Sequence, residues 1–112
     1  MVQMLIYKVL RMGEWAALRE DGIFRGSPDD LRDGFIHFSA ADQLAGTLAR
    51  HFAGEDGLML VACDTEVLGE GLQWDVSRGG ARFPHLYRSL EISEIAWTKP
   101  VPRDPAVGAL LR

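Results

Sequence analysis

Two stretches of the chain concentrate side chains that can do chemistry. The first is His37-Phe38-Ser39, an imidazole two residues ahead of a hydroxyl. In an extended run His37 shares a face with Phe35, while Ile36 and Phe38 point the other way. A histidine at the open end of a strand, just before a helix, stands where α/β architectures often bind ligands. The plainer reading is a core histidine satisfied by a backbone carbonyl. Ser39 reads first as the N-cap of the next helix, a position that can also help to hold a phosphate. The second stretch is Ser77-Arg78-Gly79-Gly80-Ala81-Arg82-Phe83-Pro84-His85-Leu86-Tyr87-Arg88. Its paired glycines let a backbone approach a ligand closely. If it runs extended after them, Phe83, His85 and Tyr87 line one face. No acidic residue falls between Val76 and Leu90, whereas Arg78, Arg82 and Arg88 do. An aromatic–imidazole–phenol stripe beside arginines suits a ligand with a flat ring and a phosphate. It equally describes a solvated hairpin whose Phe and Tyr pack on the core.

Single residues add less. Lys8 interrupts an apolar run, and either points into a cleft or snorkels to water from a strand edge. Asp75, next to Trp74, is either an acid/base or ribose-binding group or a plain surface charge. His51 reads as structural and Cys63, at the end of an apolar run, as an inert core thiol. No glycine pattern matches a phosphate-binding Walker loop or a dinucleotide fingerprint, and no His/Cys spacing suits zinc. No metal is expected, and nothing marks a nucleophile elbow.

These residues need a scaffold, and composition bounds it. The 112 residues, 47% hydrophobic and 25% charged, suffice for one α+β domain with one real core. A net charge of -4 argues against general nucleic-acid binding. The longest fully apolar run, Leu58 to Cys63, is far too short to span a membrane. A lone cysteine excludes an internal disulfide and suits the cytoplasm.

The pattern predicts strands over 4–10, 23–25, 35–38, 58–63, 72–76, 83–88 and 91–97, the first of them central. Helices are expected over 13–20, from Ser27-Pro28 to Gly34, and over 40–52, the last capped by Ser39 with Asp42. Pro100, Pro102 and Pro105 make residues 100–112 an irregular tail.

Three segments, Ile6-Tyr7-Lys8-Val9, Asp33-Gly34-Phe35-Ile36-His37-Phe38-Ser39 and Phe83-Pro84-His85-Leu86-Tyr87, together resemble the bacterial family called domain of unknown function 952. The likeness spans nearly the whole chain. It implies a single α+β domain with a split, mostly antiparallel sheet, similar to the ADP-ribosyltransferases and RNA 2'-phosphotransferases. It further implies a cleft for NAD, ADP-ribose or a related phosphorylated nucleotide, with an RNA end as another candidate. By that resemblance His37 matches the histidine that holds a ribose, and Ser39 the small hydroxyl after it. His85 and Tyr87 belong to the family's own motif, and family members often carry Glu where this chain has Asp75. The expected roles are His37, His85 and Asp75 in catalysis, and Lys8, Ser39, Arg78, Phe83, Tyr87 and Arg88 in ligand binding. NAD would be a substrate rather than a tightly bound cofactor. A binding or sensing module, or a protein-interaction domain, is the alternative to an enzyme.

Overall fold

The computed structural model describes residues 3–103 and 105–112, with the side chain of Arg78 outside the description. Its centre is β4 (Leu58–Asp64), paired antiparallel with β1 (Leu5–Arg11) on one side and β8 (Ile95–Val101) on the other. Both faces of this sheet are covered, so β4 carries apolar residues without alternation: Leu60, Val61, Ala62 and Cys63 are all fully buried. On one face Ile6, Leu10, Val61 and Cys63 pack with Leu18 of α1 (Met12–Asp21) and with Phe24, Phe38 and Leu86. On the other, Tyr7, Val9, Leu60 and Ala62 meet Leu44 and Leu48 of α3 (Leu44–His51). Lys8 shares the face of Ile6 and Leu10.

A second antiparallel sheet runs in the order β3-β6-β5, formed by β3 (Ile36–His37), β6 (Arg82–Leu86) and β5 (Leu72–Val76). It meets β1 through a bridge in which Tyr7 and Ser39 exchange two backbone hydrogen bonds, both 2.8 Å long. A small ladder joins β2 (Ile23–Phe24) to β7 (Leu90–Glu91). The fold is therefore α+β, with a split antiparallel sheet. α2 (Pro28–Asp33) forms where its sequence demands, with Ser27 as N-cap, proline at the first turn and Gly34 left-handed at the C-cap. The single turns α4 (Thr65–Leu68) and α5 (Val107–Leu110) complete the chain. Among the described residues no helix is long and apolar enough to cross a membrane.

Three expectations need correction. β1 is not central, because β4 takes that place and only the Tyr7–Ser39 bridge borders its outer edge. α3 starts at Leu44 rather than Ala40, and Ser39 does not cap it: its backbone is committed to Tyr7 and its hydroxyl to Thr47, 2.7 Å away. The last strand runs to Val101 through Pro100, which an edge strand tolerates, and α5 orders part of the expected irregular tail. Burial, with a smaller contribution from the charge of Glu94, pushes the pKa of the Cys63 thiol up to about 12, which leaves it inert at neutral pH.

The double-faced burial of β4 sets a test. Leu60→Ala should lower the unfolding free energy by about 2–5 kcal/mol, whereas Val67→Ala, at a site 55% exposed, should change it by less than about 0.5 kcal/mol. Urea denaturation reads both, and equal effects would contradict the packing described.

Candidate functional site

The side chain that organises the site is Asp30, in the first turn of α2 and 2% exposed. Its Oδ1 accepts from Lys8 Nζ at 3.0 Å, from the His37 backbone N–H at 3.1 Å and from His37 Nδ1 at 2.7 Å. Its Oδ2 accepts from the Ser27 backbone N–H at 2.9 Å and faces Lys8 Nζ at 3.0 Å. Burial alone would raise its pKa. The His37 hydrogen bond, the Lys8 charge and the Ser27 N–H outweigh that and hold the carboxyl well below the usual range. The chain can come this close only because residue 26 is glycine: at its φ of +132° an added Cβ would lie 2.8 Å from the Asp30 Cβ.

The other ring nitrogen of His37, Nε2, lies 3.0 Å from Asp33 Oδ2 at the end of α2. His37 is thus held between two carboxylates, a buried one at Nδ1 and a partly exposed one at Nε2.

His85 has different surroundings. It pairs with His37 across β3 and β6, with ring centroids 5.4 Å apart. Its Nδ1 lies 2.8 Å from Asp75 Oδ2, and the Tyr87 hydroxyl donates to that same oxygen at 2.5 Å. Phe35 stacks on the His85 ring at 4.0 Å. Desolvation lowers the His85 pKa and the Asp75 hydrogen bond recovers only part of the shift, so the ring is neutral at pH 7. Asp75, in turn, is lowered by the hydrogen bonds from Tyr87 and His85. With Nδ1–H given to Asp75, Nε2 presents a lone pair. It has no hydrogen-bond partner among the described residues, and none of their fully buried polar side-chain atoms lacks one, so Nε2 keeps contact with solvent.

Both imidazoles line one cleft of about 470 Å³, between α2, α3 and the β5–β6 hairpin. Of the residues singled out from the sequence, Lys8, Ser39 and Phe83 line it too. Asp75 and Tyr87 stand behind His85 rather than on the cleft wall. Arg88 is placed elsewhere: Glu94 clamps it with two bonds of 2.7 and 2.8 Å, and it also donates to the Leu68 and Ser89 carbonyls. The side chain of Arg78 falls outside the described residues. Lys8 neither snorkels nor lies free, since it is buried against Asp30. His51, read as structural, also borders the cleft. Asp30, Asp33 and Phe35 were not expected as site residues. The Ser27-Pro28-Asp29-Asp30 cap accounted for Asp30 locally, and only the tertiary fold sets it beneath His37. Among the described residues no three His, Cys, Asp or Glu side chains are grouped to hold a metal ion.

Asp30 links the site to stability. Its lowered pKa contributes stability that is present above about pH 5 and lost as pH falls through the unfolded value of about 3.9 towards the folded one. Asp30→Asn should cost about 3–5 kcal/mol at pH 7, because the buried Lys8 loses its counter-charge. It should also flatten the acid limb of a stability–pH curve measured by urea denaturation. For His85, an NMR titration should give a midpoint below about 6.5, moving lower still in Asp75→Asn.

The comparisons agree with the architecture. An X-ray structure of protein CC0527 from Caulobacter crescentus is similar at 49% identity, covering 96% of this chain and 97% of that one, with a TM-score of 0.92. A double mutant of CC0527 matches at 48% identity over 96% and 97% of the two chains, with a TM-score of 0.91. Its solution NMR structure matches at 48% over 95% of each, with a TM-score of 0.85. No curated protein matches the chain. The family model described as "Protein of unknown function (DUF952)" matches residues 9–98, a span that takes in both histidines and nearly all of the cleft, and the chain belongs to that family.

Proposed function

We propose that the cleft binds and acts on NAD, ADP-ribose or a related phosphorylated nucleotide, on a split sheet of the kind that clasps nucleotides in ADP-ribosyltransferases. The observation that carries this reading is His85: a neutral imidazole oriented by Asp75, its Nε2 open, in the same cleft as His37. Nε2 accepts the proton of an attacking hydroxyl while that oxygen bonds to the anomeric carbon. The bond from that carbon to the leaving group breaks through an oxocarbenium-like state, and the leaving group departs with the electron pair. Asp75 holds the ring and stabilises the imidazolium that forms. A ribose hydroxyl entering beside His37 meets the ring Nε2 and the Asp33 carboxylate, and can insert between them. A cytoplasmic setting, with the nucleotide as substrate rather than resident cofactor, belongs to the same reading.

The test is calorimetric titration with NAD, ADP-ribose, nucleoside monophosphates and 2'-phosphorylated RNA ends, followed by turnover assays on whichever binds. His85→Ala should keep ligand affinity within a few fold and abolish turnover. In the wild type kcat/KM should fall on the acid side as His85 takes up a proton below about pH 6.5. His37→Ala should weaken binding by about 1–3 kcal/mol per folded molecule. Binding without turnover in the wild type would make the domain a sensor, and no binding at all would remove the nucleotide reading.

A further inference from the structure

The cleft wall made by α3 has features that its own packing does not explain. At helical spacing Gln43, Gly46, Thr47 and Arg50 face the cleft, while Leu44 and Leu48 face the core. Gly46 sits inside a helix, where glycine is the weakest former after proline. Close packing does not require it, since an added Cβ would meet nothing within 4 Å. One turn further on, Arg50 has no ion-pair or hydrogen-bond partner among the described residues. The other cations of the cleft are neutralised: Lys8 by Asp30, Arg11 by Glu55, and Arg32 by Asp29 and Asp33. A free positive charge beside an unfilled space on a helix wall is what a negatively charged group needs in order to lie close to the backbone.

We infer that Gly46 and Arg50 form the phosphate subsite of this cleft, Gly46 giving room and Arg50 giving charge, for a ligand whose phosphate lies on the α3 wall away from the two histidines. This deepens the nucleotide reading and rests on it. It places the phosphate on α3, where the sequence had suggested Arg78 or Arg88. Arg88 is already committed to Glu94. The ligand class that fits carries its phosphate or pyrophosphate at a remove from the reacting carbon, so a phosphate-free nucleoside forfeits this contact.

The experiment pairs ADP-ribose with adenosine as probes, measured by calorimetry on the full chain. Arg50→Gln should weaken ADP-ribose on the order of tenfold and leave adenosine unchanged. Gly46→Ala should raise Tm by about 2–5 °C while weakening ADP-ribose. Gly46→Leu, which keeps a good helix former but fills the space, should weaken ADP-ribose on the order of tenfold or more. A stabilised Gly46→Leu that binds ADP-ribose as the wild type does, or an Arg50→Gln that weakens both probes equally, would overturn the subsite alone. A wild-type protein that binds neither ADP-ribose nor adenosine nor NAD would overturn the nucleotide reading and this inference with it.

Discussion

A single buried carboxylate, that of Asp30, holds three separate parts of the chain together. It draws in Lys8 from β1, fixes the end of β3 through the His37 N–H and ring, and closes its own helix cap on Ser27. A charge so deeply desolvated is tolerable only because every contact around it is a donor, two of them on charged or chargeable groups. The same arrangement explains why a lysine can interrupt the apolar face of β1. Lys8 lies among Ile6 and Leu10 at no ruinous cost because its ammonium meets Asp30 there rather than hydrocarbon. Position 26 has to be glycine for this to assemble, so one buried charge fixes residue types at several distant positions.

Around that anchor two histidines of one sheet acquire different chemistry from their surroundings. His37 is bracketed by two carboxylates, whereas His85 is buried under Phe35, given one carboxylate, and left neutral. The contrast needs no difference in the imidazoles themselves. It follows from which elements deliver acids: α2 supplies two to His37, and β5 supplies one to His85.

What the sequence disclosed follows the range of the forces involved. α2 was legible because its cap, proline and closing glycine act within a few residues. Both histidines stood out as polar residues on otherwise apolar strands. Ser39 misled because Ser39-Ala40-Ala41-Asp42 has the spacing of a capping box, while the fold spends the serine on Tyr7 and Thr47 instead. Asp75 left two readings open, a site carboxylate or a surface charge, because its ties to His85 and Tyr87 exist only once β5 and β6 pair. Pro100 signalled the end of regular structure, yet β8 has an unpaired edge where a missing N–H costs little. Local signals therefore hold where no distant partner competes for the residue, as in α2, and fail where long-range pairing claims it, as at Ser39 and Pro100.

The order of strands in the main sheet also governs how the chain reaches this state. β4 pairs on one side with β1, across the whole of residues 12–57, and on the other with β8, across residues 65–94. Neither pairing can begin from a tight hairpin, so each must meet a large loop-closure entropy before any packing offsets it. The β5–β6 hairpin, closed by the short turn around Gly79 and Gly80, carries no such burden. The barrier to folding therefore lies in threading β4 between its partners. Kinetically the chain belongs with the slower, β-rich folders, despite its small size and its share of helix.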